Sequence, residues 1–88
     1  MASIKDMREA LRRYRKASEE ADRAQDLWDA DPYDEAAEKE ADETYERECA
    51  ALGELTGMIM ELIGTDARTA RAMVLRDGRL DELLARAR

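Results

Sequence analysis

Pro32 is the only proline in the chain, and it divides two long runs that contain no glycine between Met1 and Leu52. A proline cannot sit inside a helix, because its ring clashes with the preceding turn and it has no N–H to donate. On its N-terminal side Ile4, Met7, Leu11, Tyr14, Ser18, Ala21, Gln25 and Trp28 alternate by three and four residues, which is the spacing of an a/d seam. Ala10, Ala17 and Ala24 recur every seven residues beside that seam. Ser3, placed three residues before Asp6, reads as the N-cap of an approximate capping box. The pattern predicts a first helix over about 4–29, roughly 39 Å long at the α-helical rise.

Proline is tolerated at the first position of a helix, and Asp31 before it reads as an N-cap. Asp34 and Glu35 would then lie in the first turn, where the helix dipole favours negative charge. The second helix is predicted over about 32–63, ending at Gly64, a natural C-terminal stop. It carries Ala37, Ala41, Tyr45, Leu52, Leu55, Ile59 and Leu62 on one broad face. Glu35–Lys39 and Glu43–Arg47 are spaced to pair along it. Gly53 and Gly57 each weaken a helix interior by about 1 kcal/mol, so a kink or a close neighbour is expected there. Thr65 or Asp66 then caps a third helix over about 66–76, and Gly78 ends it. A fourth, over about 80–87, places Leu80, Leu83 and Leu84 on one side.

So short a connection forces the two long helices antiparallel. The predicted fold is all-α, in one domain: a coiled-coil-like helical hairpin with two short C-terminal helices packed at its base. Facing residue numbers should sum to about 62, setting Ile4 near Ile59, Met7 near Leu55 and Leu11 near Leu52. That register also sets the basic start of the first helix beside Glu46, Glu48, Glu54 and Glu61. Between residues 15 and 51 the large apolar or aromatic side chains are only Leu27, Trp28, Tyr33 and Tyr45, whereas 52–84 is rich in Leu, Ile and Met. At about 25 cal/mol per Å² of buried apolar surface, an alanine seam contributes little. The expected shape is therefore a compact base and a thin arm with Trp28 and Tyr33 at its tip.

Residues 58–63 are apolar nearly all round, and a chain of 88 residues has difficulty covering such a helix. A homodimer is therefore expected, with Met58, Ile59, Met60, Ile63 and Met73 at the contact. Residues 58–88 resemble a ubiquitin-associated three-helix module in Leu62-Ile63-Gly64, Ala70, Gly78 and Leu80 to Leu84. Thr65 replaces the usual apolar loop residue, and no binding residues are carried over.

Charge is unevenly spread over the net −7: residues 1–16 are basic, 17–64 strongly acidic and 65–88 mildly basic. No histidine is present for general-base work, no glycine-rich phosphate loop occurs, and Ser3, Ser18 and Cys49 have no evident base partner. The chain is therefore not expected to be an enzyme, nor to need a cofactor. Asp29, Asp31, Tyr33, Glu35 and Glu40 fit parts of an EF-hand frame, but the required glycine is Asp34, and no metal is expected. The lone Cys49 reads as a buried apolar side chain. No run of about 18 apolar residues spans a membrane, and Met1 to Asp6 lacks a signal-peptide core. A bacterial cytoplasm is the expected setting.

What remains is binding. Trp28 and Tyr33, with Asp29, Asp31 and Asp34 around them, are the expected partner contact at the arm tip, because exposed aromatics are enriched in interfaces. The same two rings packed on each other would merely close the hairpin end. Glu38, Asp42 and Glu46 mark an acidic face. The expected function is a non-enzymatic interaction or assembly protein of bacterial or phage type, with a protein partner. An alternative is an acidic inhibitor that occupies the nucleic-acid site of a host protein. In size and charge the chain resembles small phage inhibitors of host or CRISPR machinery. A further alternative is an accessory subunit of a phage particle. Direct nucleic-acid binding through the basic segment 5–16 is disfavoured by Asp6, Glu9 and the acidic whole.

Overall fold

A computed structural model of the chain describes residues 3–77 and 80–82. Two long helices, α1 (Ile4–Ala30) and α2 (Glu35–Ile63), pack as an antiparallel hairpin, followed by the short α3 (Ala67–Ala72) and a π-helical turn, Met73–Asp77. Residues 80–82 are helical again. The molecule is a rod of 47 × 20 × 19 Å. The rest of the predicted fourth helix, with Leu83 and Leu84, lies outside the described residues.

The caps explain the helix bounds. The Ser3 hydroxyl accepts from the Asp6 N–H at 3.1 Å, and the Ser3 N–H donates to Asp6 Oδ2 at 3.1 Å, so the capping box closes in both directions. Gly64 ends α2 at φ 71°, in the left-handed region that glycine enters without a Cβ clash. Asp66 caps α3 by accepting from the Thr69 N–H at 2.7 Å.

The turn differs from expectation. Pro32 does not open α2; it sits inside a four-residue turn closed by the Asp34 N–H donating to the Asp31 carbonyl at 3.1 Å. This is the position proline favours in a β-turn, and the aspartate before it is a favoured first residue. Asp34, not Asp31, is the N-cap of α2 and accepts from the Ala36 and Ala37 N–H groups. Helix α2 therefore starts three residues later than predicted, and the hairpin centre moves with it.

The two ion pairs that cross the hairpin, Arg13–Glu54 and Glu20–Arg47, join residue numbers that sum to 67, beyond the predicted 62 and in the direction of the later start of α2. The burial pattern agrees: Met7, Ala10, Leu11, Ala21 and Ala24 are buried on α1, and Ala41, Thr44, Leu55 and Ile59 on α2. Of the seven-spaced alanines, Ala10 and Ala24 are buried and Ala17 is half-buried, while Gln25, predicted in the seam, is exposed and donates to Asp29. Thr44 is the one buried polar residue among those described, and its hydroxyl donates to its own helix, 2.8 Å from the Glu40 carbonyl.

The core is confined to one end. Met7, Ala10, Leu11, Leu55, Ile59, Ala70, Met73 and Leu80 form one cluster, with Ile4, Tyr14, Met58, Met60 and Val74 packed around it. Helix α3 and the π turn cover the hairpin root and supply Ala70 and Met73. The predicted third helix thus exists, but its second half is π-helical, which turns Met73 inward and leaves Leu75 outside. The residues resembling a ubiquitin-associated module do not stand apart. Residues 58–63 are the last turns of α2, Ile59 belongs to the hairpin core, and Gly78, Leu83 and Leu84 lie outside the described residues.

Ion pairs confirm the pairing of the helices but not the predicted pairs along α2. Arg13 meets Glu54 at 2.8 Å, as the basic start of α1 suggested. Arg47 reaches across to Glu20 at 3.9 Å, and Lys39 turns to Glu43 at 4.0 Å, so the Glu35–Lys39 and Glu43–Arg47 pairs are not formed. Arg15 holds Asp81 with 2.8 and 2.9 Å contacts, tying the C-terminal segment to α1. All are exposed and contribute little each, about 0–1 kcal/mol.

Candidate interaction surfaces

The arm tip is built by the turn. Tyr33 follows Pro32, and its N–H donates to Asp31 Oδ1 at 3.3 Å. Its side chain is 94% exposed, and Leu27 on the last turn of α1 is 65% exposed. Exposure of that degree excludes the packing of Tyr33 on Trp28. Trp28 is half-buried against the hairpin, and its indole N–H is shielded from solvent without an acceptor. An unsatisfied buried donor costs about 1–3 kcal/mol, so this ring is held there against a penalty. Asp29 accepts from Gln25, Asp31 from Tyr33, and Asp34 caps α2, so all three tip aspartates have local bonds.

The acidic face lies along α2. Glu35, Glu38, Asp42 and Glu46 line one exposed, shallow edge with Lys39 and Glu43. Successive turns bring Glu38, Asp42 and Glu46 about 6 Å apart along the axis. Among the described residues, no group of three or more His, Cys, Asp or Glu side chains is arranged to hold a metal ion. No described helix is long and apolar enough to cross a membrane.

The residues expected at an oligomer contact divide. Ile59 is fully buried and Met73 nearly so within the chain's own core. Met58 and Met60 are half-buried against it, and Ile63 is 46% exposed. The structure thus uses two of the five internally and leaves Met60 and Ile63 with surface to offer.

A second surface on α2 was not singled out in the sequence. Cys49 is exposed rather than buried, one turn after Tyr45 on α2. The neighbouring Cys49 side chain pushes the Tyr45 hydroxyl above its ordinary pKa. Tyr14, on α1, is raised by partial burial and then by the Glu48 carboxylate. Beyond Cys49, Gly53 and Gly57 open a shallow groove bounded by α3. Among the described residues, a Cβ at either glycine would meet nothing within 4 Å, so none of these neighbours requires them. Helix α2 runs unbroken through both. A third surface, around Leu75, is lined by Arg68, Arg71 and Arg76.

Compared with protein-family models, with curated proteins and with solved structures, the chain matches none of them.

Proposed function

We propose that this chain is a non-catalytic helical interaction protein, dimeric, whose base supplies the self-contact and whose arm tip supplies the contact to a protein partner. The single observation carrying the partner contact is the tip itself. Tyr33 at 94% exposure and Leu27 at 65% exposure stand at the end of a 47 Å rod, where neither serves the fold. A stiff turn that presents an aromatic and an aliphatic side chain suits insertion into an apolar pocket on another protein, since little ordering entropy remains to be lost. A bacterial or phage origin agrees with the Ala- and Arg-rich, Lys-poor composition.

Capture from a bacterial lysate tests this reading. Tyr33→Ala removes a side chain the fold does not use, so the variant should stay folded and lose the partner. Retention at undiminished strength by Tyr33→Ala and Leu27→Ala together contradicts the tip contact.

One observation favours a second reading. The row Glu35, Glu38, Asp42 and Glu46 presents regularly spaced carboxylates on a rigid edge, as a competitor for a basic nucleic-acid site would. Salt separates the two readings. An apolar tip contact survives about 0.5 M salt, whereas a carboxylate-row contact collapses there through screening. The latter is also displaced by added nucleic acid and weakened by Glu38→Gln with Asp42→Asn.

A further inference from the structure

The short helix α3 and the π turn after it carry a surface that neither the hairpin nor the arm tip uses. Arg68, Arg71, Ala72, Leu75 and Arg76 line one hollow there, and all three arginines are exposed. The same turns bury Ala70 and Met73 in the core, which fixes the arginine face on the outside. Leu75 stands in this face at 48% exposure. Single π turns concentrate at functional sites, and this one presents Leu75 and Arg76.

Charge says what the hollow takes. Arg13, Arg15, Lys39 and Arg47 each have a carboxylate within 4.0 Å, whereas among the described residues none of Arg68, Arg71 and Arg76 forms an ion pair. Three such cations around one hollow favour an anion from outside. Leu75 decides which anion. A sugar–phosphate backbone brings no apolar group to it, and a chain of net charge −7 repels a long polyanion. A protein segment brings carboxylates, which the forked guanidinium binds through paired hydrogen bonds, together with an aliphatic side chain for Leu75. At about 210 Å³ the hollow is smaller than the roughly 300–1,000 Å³ of small-molecule sites, which suits one inserted side chain of a larger partner. The chain's own acidic row, Glu38, Asp42 and Glu46, runs beside Lys39 and Glu43 with no aliphatic residue on its edge, so a second copy fits less well.

We infer that this hollow docks an acidic segment of a partner protein, with carboxylates on Arg68, Arg71 and Arg76 and an aliphatic side chain on Leu75. The contact lies on α3 and the π turn, not at the arm tip. It is independent of the Tyr33 contact and gives the chain a second, electrostatically distinct place to hold a protein.

Fluorescence anisotropy on the full chain tests this, with a short labelled peptide of glutamates carrying one leucine per helical turn as the probe. Wild-type protein should bind it with a dissociation constant on the order of 10–100 µM at low salt. Replacing the peptide's leucines by serine should weaken binding about tenfold, as should Leu75→Ser in the protein. Arg68→Glu with Arg76→Glu should weaken it about 30-fold or more while the helical signal is kept, and Arg68→Gln with Arg76→Gln should fall between. Lys39→Glu and Tyr33→Ala, away from the hollow, should stay within about twofold of wild type. Undiminished binding by the double reversal, equal binding of the serine peptide, or no binding at about 1 mM protein overturns the inference. So does tighter binding of a single-stranded oligonucleotide of equal charge, or a self-association that the double reversal abolishes, since each assigns the hollow to another occupant. None of these outcomes touches the arm-tip contact, which Tyr33→Ala judges by partner capture.

Discussion

The two ends of the hairpin are made from the same two helices, yet they are held by different forces. At the base, Leu55 and Ile59 are fully buried among Met7, Leu11, Met73 and Leu80. In the arm, the buried positions are Ala21, Ala24, Ala41 and Thr44. Spacing is the same in both regions, so periodicity alone places the helices; side-chain volume decides how firmly they are held. The base rests on hydrophobic burial. The arm rests on helix propensity, end caps and close approach of small residues, and its surplus of carboxylates opposes it through self-repulsion. A thin arm on a firm base can present its tip without a core of its own.

The largest expected difference comes from removing volume. Leu55→Ala should cost about 2–5 kcal/mol and lower the melting of the whole molecule, because the cavity lies where all elements meet. Ala41→Gly, in the arm, should cost about 1 kcal/mol, seen chiefly as faster amide exchange near the turn. Equal losses from the two would break the comparison.

Next is the cap that fixes the register. Asp34→Ala removes the acceptor for two N–H groups at the start of α2 and should cost about 1 kcal/mol, whereas Asp31→Ala should cost less. The reverse order in chemical denaturation would restore the earlier start of α2.

How much of this was legible follows from these residues. The helices, the Ser3 capping box, the Gly64 stop and the base–arm division are local or compositional signals, and all can be read from the chain. The start of α2 was missed by three residues because Asp31-Pro32 fits both a helix start and a turn, and only the hydrogen bond from the Asp34 N–H to the Asp31 carbonyl decides between them. The π turn was missed because its i→i+5 bonds have no residue signature. The tip aromatics were legible as candidates, but whether they pack on one another depends on a turn conformation that pattern does not specify. Gly53 and Gly57 were legible as a kink or a place of close approach; α2 runs unbroken through both, and the groove they open depends on where α3 packs, which spacing along α2 does not specify.

A smaller effect probes Trp28. Trp28→Phe removes the unsatisfied N–H along with one ring, so it should leave stability within about 1 kcal/mol of wild type, while Trp28→Ala should lose more. Thermal melts of the two variants check this, and equal losses would contradict a strained indole.

The smallest effect is on pH. Asp6 is held below its ordinary value of 3.8 by the backbone and side-chain hydrogen bonds with Ser3, and Asp66 by those with Thr69. A depressed carboxylate favours the folded state above its unfolded pKa, and that contribution is lost as pH falls from 3.8 through the lower folded value. Asp6→Asn and Asp66→Asn should therefore flatten the acid limb of the stability curve below pH 3.8, with no change in its slope near neutrality.

Residue-resolved hydrogen exchange on dilute protein tests the central claim most directly. Within α1, amides 7–15 should open only with global unfolding, while amides 20–28 should exchange at least about 100-fold faster through local fraying of the arm. Uniform protection along α1 would contradict the division into a packed base and a thin arm.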